Sequence, residues 1–280
     1  MKKNHIEYLL SVREKAIENG LLPDGMLDFY SAIFEYQEKA AAVFDAADFG
    51  TSRLRSDAFP VIDPDLVEFS RDELSALDST MADLTSVIKE FQPGINLDGF
   101  SDYCSTGDHA VERAYRALVR NDVDELKVLS GELRTGIEEY VFVLTQWFKP
   151  WLIHLRSTQE QYGEYQEPVC PFCGYLPDMS KIVESKDNIR LLHCGLCESE
   201  WTYKRLSCVI CGNENGDTLG FYTYDDDPAY RIDYCDECRG YIKTVRLARG
   251  LDGSACDLAV ENIITAFLDS SAMELGYSRP

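Results

Sequence analysis

Eight of the ten cysteines in this chain stand in four Cys-x-x-Cys pairs, Cys170/Cys173, Cys194/Cys197, Cys208/Cys211 and Cys235/Cys238. This spacing suits divalent metal binding. One tight turn aims two thiolates at a single ion while its backbone N–H groups point at the same sulfurs. Gly174 and Gly212 follow two of the pairs and supply the left-handed backbone such a turn needs. Glu198 and Arg239 hold the same place in the other two, so those turns are expected to differ. A lone pair would be weak evidence, because redox motifs share it; four within 69 residues are strong.

Two arguments assign the pairs to sites. Ser199 to Ser207 alternates like a strand, and nine extended residues span about 30 Å, which would carry Cys194/Cys197 away from Cys208/Cys211. The region also repeats itself. Cys170 to Cys208 and Cys173 to Cys211 are offsets of 38, whereas Cys194 to Cys235 and Cys197 to Cys238 are offsets of 41. The flanks IRLLHCGLC and YRIDYCDEC agree, as do WTYKR and IKTVR. A duplicated unit should bind once per copy. The expected sites are therefore Cys170, Cys173, Cys194 and Cys197, then Cys208, Cys211, Cys235 and Cys238. Cross-braced pairing stays open but leaves the repeat unexplained. Each set is expected to hold one divalent ion, iron or zinc, with a formal charge of −2. That charge calls for N–H···S bonds and nearby cations such as Lys181, Arg190 and Arg205. Four thiolates leave no open position for water, which favours a closed structural site over a catalytic one. Rubredoxin-like transfer of electrons or sulfur is the alternative.

Other candidates carry less. His193 abuts Cys194 and reads as a surface or ligand-supporting residue, since each cysteine set is already complete. His109 and His154 lie in helical segments without ligand-type partners, and Cys104 and Cys256 read as inert thiols. Asp225, Asp226 and Asp227 read as a solvated loop. Among the aromatics around the ribbons, Trp201, Tyr203 and Tyr241 are candidates for contact with a partner protein. No Ser-His-Asp order, phosphate loop, dinucleotide glycine motif or paired catalytic carboxylate emerges, so the expectation is a protein that is not an enzyme.

Net charge is −22, from 27 basic and 49 acidic residues. Divided at residue 170, it is 16 − 31 = −15 and 11 − 18 = −7. Neither half offers the basic field that phosphate backbones need, which argues against nucleic acid as a partner. The N-terminus has no apolar signal core, and the most apolar window, Ile137 to Leu155, holds Glu138, Glu139, Lys149 and Pro150. The expectation is a cytoplasmic chain without membrane insertion, whose cysteines stay reduced. A homodimer is one arrangement the sequence leaves open.

The elements that must position the cysteines follow from periodicity. Asn4 can cap a helix running toward Asn19-Gly20, and a second helix begins near Pro23-Asp24 with Leu27, Tyr30, Phe34 and Ala41 on one face beside Ile33, Val43 and Phe44. Ser70 and Glu73 form a capping box ahead of Leu74, Leu77, Met81, Leu84 and Ile88. Helices are expected near 108–120 and from 122 onward through WFKPW, where Pro150 should kink or break the chain. A polar linker near 156–168 leads to short alternating strands between the cysteine turns, and Ser254 is expected to cap a last helix. The fold class is thus α+β. A helical N-terminal domain (1–165) precedes two tandem rubredoxin-like or zinc-ribbon modules (166–206 and 207–250) and a C-terminal helix and tail (251–280).

Taken together, CPFCGYLP at 170–177, LHCGLCESEW at 192–201, YCDECRGYIK at 234–243, DLAVENIITAFL at 257–268 and the YSR near the end resemble the formate dehydrogenase accessory proteins, the FdhE family. The resemblance is specific over residues 168–270. It implies a cytoplasmic maturation factor that binds the catalytic subunit of a molybdenum- or tungsten-dependent formate dehydrogenase, often before twin-arginine export. The eight paired cysteines correspond to the family's ligands for iron or zinc. Two departures stand out: the chain stops soon after Arg279, and Glu198 and Arg239 replace glycine-like turn positions.

Overall fold

The computed structural model describes residues 4–18, 22–23, 25–46, 54–55, 57–105, 109–156, 162, 164–224, 227–248 and 256–279. They fall into two units. One is Gly25–Gln161 with Pro171–Leu176, and the other is Met1–Asp24 with Tyr162–Cys170 and Pro177–Pro280. The first helix, expected in the helical domain, is therefore grouped with the ribbons.

The helical unit contains α2 (Met26–Ala46), α3 (Arg71–Phe91), α4 (Ala110–Val119), α5 (Val123–Glu132) and α6 (Ile137–Arg156). In α2 the buried seam runs through Leu27, Ile33, Phe34, Ala40 and Phe44, whereas Tyr30 and Ala41 are half-buried and Val43 is exposed. Ser70 and Glu73 close their capping box at the start of α3. Every other helix of the unit packs against α6, the most apolar of the five. Trp147 and Trp151 of α6 are fully buried, as are Tyr115 and Phe148. At about 25 cal/mol per Å², burying one such indole is worth roughly 4–6 kcal/mol. No helix among the described residues is long and apolar enough to cross a membrane.

The expected long helix from 122 is two helices, and the break is not at Pro150, which stays inside α6. Arg134 adopts φ 56° and the Thr135 amide turns back to the Ser130 carbonyl, ending α5 ahead of Gly136. A left-handed residue changes chain direction, whereas Pro150 costs α6 a donor without ending it.

The other unit holds α1 (His5–Glu18), six strands and two C-terminal helices. Asn4 caps α1 through the Glu7 amide; Asn19-Gly20 and Asp24 lie outside the described residues. The strands are β1 (Pro177–Val183), β2 (Ile189–Cys194), β3 (Glu200–Tyr203), β4 (Leu219–Thr223), β5 (Tyr230–Cys235) and β6 (Tyr241–Leu247). They form a single sheet in the order β3-β2-β1-β6-β5-β4. Each ribbon contributes an antiparallel trio, and the trios join through parallel β1 and β6, with Met179 opposite Lys243 and Val183 opposite Leu247. The duplicated modules thus share one continuous sheet rather than forming a small sheet each. Repeating the same strand order side by side leaves β3 and β4 at the edges.

Strand alternation divides this sheet into two faces. Met179, Val183, Val245 and Leu247 pack with Cys256 and Leu258, while Ile232 and Tyr241 pack with Leu268, Ala272 and Tyr277. The opposite face carries a polar seam in which Ser180 Oγ lies 2.6 Å from Thr244 Oγ1 and the Thr244 hydroxyl donates to Asp233.

The C-terminal helix is also divided, into α7 (Leu258–Ile264) and α8 (Ala266–Glu274). Asp257, not Ser254, caps α7 through the Ala259 amide; Ser254 lies outside the described residues. The division falls at Thr265, whose hydroxyl donates to the Glu261 carbonyl at 2.6 Å. Buried Lys243 reaches from β6 to donate to the Asn262 and Thr265 carbonyls, satisfying acceptors left at the end of α7.

Candidate metal centres

The four cysteine turns share one backbone shape. Gly174 and Gly212 have φ of 82° and 72°, and Glu198 and Arg239 have φ of 59° and 56°. The turns expected to differ therefore do not. In three of the four, the first cysteine's amide donates to the carbonyl five residues on: Cys194 to Ser199, Cys208 to Asn213 and Cys235 to Gly240. A side chain in the left-handed region costs about 1 kcal/mol relative to glycine. Both non-glycine positions offset this with an anchor. Glu198 Oε2 lies 3.2 Å from His5 Nε2. Arg239 bonds Asp236 at 2.6 Å and the Leu275 and Gly276 carbonyls at 3.0 and 3.3 Å, and lies over the Tyr277 ring.

The sulfurs gather as two sets, Cys170 with Cys173, Cys194 and Cys197, and Cys208 with Cys211, Cys235 and Cys238, all within 4.8 Å of one another in each set. Of the two pairing arguments, the repeat is the one that applies. β3 has four residues rather than nine, because the chain turns at 204–207 to pass back across the sheet. A tetrahedral ion with metal–sulfur bonds of about 2.3 Å places its sulfurs about 3.8 Å apart. Cys208 and Cys238 lie 3.7 Å apart, Cys211 and Cys235 3.8 Å, and Cys170 and Cys197 3.4 Å. The donor sets fit a divalent ion, and each could hold one.

The two centres differ in exposure. All four cysteines of the first are buried, and Ser199 Oγ lies 3.2 Å from Cys197 Sγ with Tyr162 OH behind it at 2.9 Å. In the second, Cys211 is exposed and Cys238 half-buried. Burial pushes the Cys238 thiol up to about 12. Burial also acts to raise Cys235, but the Asn213 amide and the Cys238 and Glu237 N–H groups outweigh it and bring that thiol down to about 7. Thiols this close cannot all ionise without a cation between them.

The remaining candidates find other places. Trp201, Tyr203 and Tyr241 are exposed by only 3%, 7% and 4%, so their rings are largely covered by the fold. Trp201 donates to the Glu167 carbonyl at 3.0 Å, Tyr203 to the Cys208 carbonyl at 3.3 Å, and Tyr241 to Asp269 at 2.7 Å. Alternation placed them on strands but could not tell a covered face from an open one. His193 is buried with Nδ1 2.7 Å from Asp178. His109, just ahead of α4, is exposed, and His154 meets Asp45 at 2.8 Å. Cys256 is buried in the sheet core; burial and Asp78 push Cys104 up to about 12. Asp227 closes a turn through the Ala229 and Tyr230 amides, and Asp225 and Asp226 lie outside the described residues. Lys181 pairs with Glu200 at 2.6 Å, whereas Arg190 and Arg205 line a cavity beside Cys208. Sequence reasoning missed Glu198 and Arg239 as anchors, and Arg231 with Asp233 in the YRID segment.

Comparison with known proteins agrees with this architecture. Residues 169–205, which include the first cysteine set, match the family model described as FdhE, central domain. An FdhE homologue from Shewanella sp. strain MR-4 is 31% identical over 223 residues, covering 76% of this chain and 71% of its own. One from Aquifex aeolicus is 31% identical over 157 residues, 54% of each chain. The crystal structure of the FdhE protein from Pseudomonas aeruginosa superposes with a TM-score of 0.60 at 18% identity, covering 98% of this chain and 92% of that one, and so shares the fold. With the four knuckles, the duplicated ribbons and a relative this similar over most of both lengths, the chain belongs to the FdhE family.

Proposed function

We propose that this chain is a formate dehydrogenase accessory protein that acts in the cytoplasm. It binds the catalytic subunit of a molybdenum- or tungsten-dependent formate dehydrogenase while that enzyme is assembled. Family membership supports the reading. The observation that carries it is the pair of closed four-cysteine sets within one sheet. Each set, Cys170/Cys173/Cys194/Cys197 and Cys208/Cys211/Cys235/Cys238, holds one iron or zinc ion. The ions cross-link the knuckles and so stiffen the module. An acidic surface with a net charge of −22 suits a protein partner better than nucleic acid. The test is capture of the tagged chain from anaerobically grown cells. Enrichment of a formate dehydrogenase catalytic subunit over a tag-only control is expected, and its absence overturns the proposal.

A second reading is favoured by the exposure of Cys211: the second ion, as iron, passes electrons as in rubredoxin. A visible absorption band that bleaches reversibly on reduction would support it, and colourless protein with two zinc ions per chain would exclude it.

A further inference from the structure

In a chain this acidic, one cavity brings three arginines together. It lies on the polar face of the sheet, where residues 205–210 pass beneath β5 and β6, and Arg190, Arg205, Arg231 and Asp233 line it. Arg190 of β2 is 4% exposed and bonds the Ser207 carbonyl through Nη1 at 3.2 Å, with Nη2 3.6 Å from Asp233. Arg231 of β5 bonds the same carboxylate at 2.9 Å. Asp233 also accepts from the Thr244 hydroxyl, so one carboxylate serves two guanidinium groups. Nε of Arg190 and Nε of Arg231 are both buried and have no hydrogen-bond acceptor among the described residues. A buried charged donor without an acceptor is costly, and a carboxylate held by paired N–H groups is its natural complement.

The surroundings show what would carry that carboxylate. β4 is an edge of the sheet, with no neighbour beyond it among the described residues. Leu206 and Phe221 line the cavity and are 77% and 56% exposed, and the Arg231 guanidinium lies 4.7 Å over the Phe221 ring. An edge strand offers backbone groups to an extended peptide, and apolar side chains flanking a charged pocket accept alternate residues along it.

We infer that the second ribbon docks an extended acidic segment of a partner protein. The segment pairs along β4 and places a Glu or Asp carboxylate between Arg190 and Arg231. This deepens the accessory reading proposed above, but its test uses no formate dehydrogenase and so can fail separately.

The probe is a fluorescent octapeptide of alternating valine and glutamate, added to the metal-loaded chain and followed by anisotropy and backbone amide shifts. The glutamate peptide should bind about tenfold more tightly than its glutamine counterpart, with shifts in β4 and 204–210. Arg231→Gln should remove most of that difference and exposed Arg205→Gln a smaller part, with two ions per chain retained. A central proline in the peptide should abolish binding by removing a strand donor. Equal affinity for the two peptides overturns the inference. So does complete displacement by millimolar acetate or phosphate, which would mark a free-anion site. A dimer of the chain dissociated by Phe221→Ser would show a second copy as the occupant. Loss of the second ion in Arg231→Gln, with no peptide binding to the parent, would show that the arginines only balance thiolate charge.

Discussion

His5 sits between two carboxylates, Nε2 3.2 Å from Glu198 and Nδ1 2.6 Å from Asp257. It ties the start of α1 both to the knuckle of Cys194/Cys197 and to the cap of α7. Arg239 does the corresponding work for the chain's other end. It bonds the Leu275 and Gly276 carbonyls, while its own carbonyl accepts the Ser278 amide. In each ribbon the left-handed residue of the later knuckle thus anchors a terminal segment. Glycine would fit the backbone more easily but would give up every side-chain bond of these anchors.

This gives His5 a definite pH signature. Burial disfavours its charged form, but the Glu198 charge and the Asp257 hydrogen bond outweigh that, and its pKa rises to about 9. Folding therefore binds a proton more tightly than the unfolded chain does. The added stability is complete below about pH 6.5 and is lost as pH rises through about 9. His5→Gln should lower stability by about 1–3 kcal/mol at pH 6 and by little above pH 9.5. Urea midpoints of both proteins across this range measure it, and parallel curves would contradict it.

Arg239→Gly should relax the left-handed strain, worth about 1 kcal/mol, but release the tail. Losing bonds to Asp236 and two carbonyls, together with the contact on Tyr277, should leave a net loss of about 1–2 kcal/mol. Faster exchange of the Ser278 and Tyr241 amides should accompany it. Hydrogen exchange that stays unchanged would show that the tail is held by other contacts.

Exposure predicts the order of metal release. A chelator reaches Cys211 from solvent, whereas every cysteine of the first set is buried. Release should be biphasic with one ion per phase, and Cys211→Ser should abolish the faster phase alone. Cys173→Ser should remove the slow ion and destabilise the chain by several kcal/mol, because metal binding at a closed site is coupled to folding. Single-phase release of both ions would contradict this.

Asp269 accepts from Lys243 at 2.8 Å and from Arg279 at 2.7 Å. Burial holds the Lys243 amine down to about 8. Asp269→Asn removes the carboxylate that these two cations share and should cost about 2–4 kcal/mol at pH 7, easing toward pH 10 as Lys243 loses its proton. Lys243→Met removes a buried charge and should cost less. Thermal melts at pH 7 and pH 10 rank the two.

The residues themselves disclosed the cysteine partition, the capping box of α3 and the α+β class. These depend on local spacing, on turn chemistry and on a repeat that can be counted along the chain. The sequence could not show that the ribbons merge through β1 and β6, since parallel pairing joins residues more than 60 positions apart without any local mark. Nor could it show that Trp201, Tyr203 and Tyr241 face inward, because alternation fixes which side chains share a face but not which face is covered. The roles of Glu198, Arg239, Arg190 and Arg231 likewise came only from the tertiary structure. A charged side chain becomes an anchor or a pocket wall only through what folding brings within 3–4 Å of it, and those partners are distant in the chain.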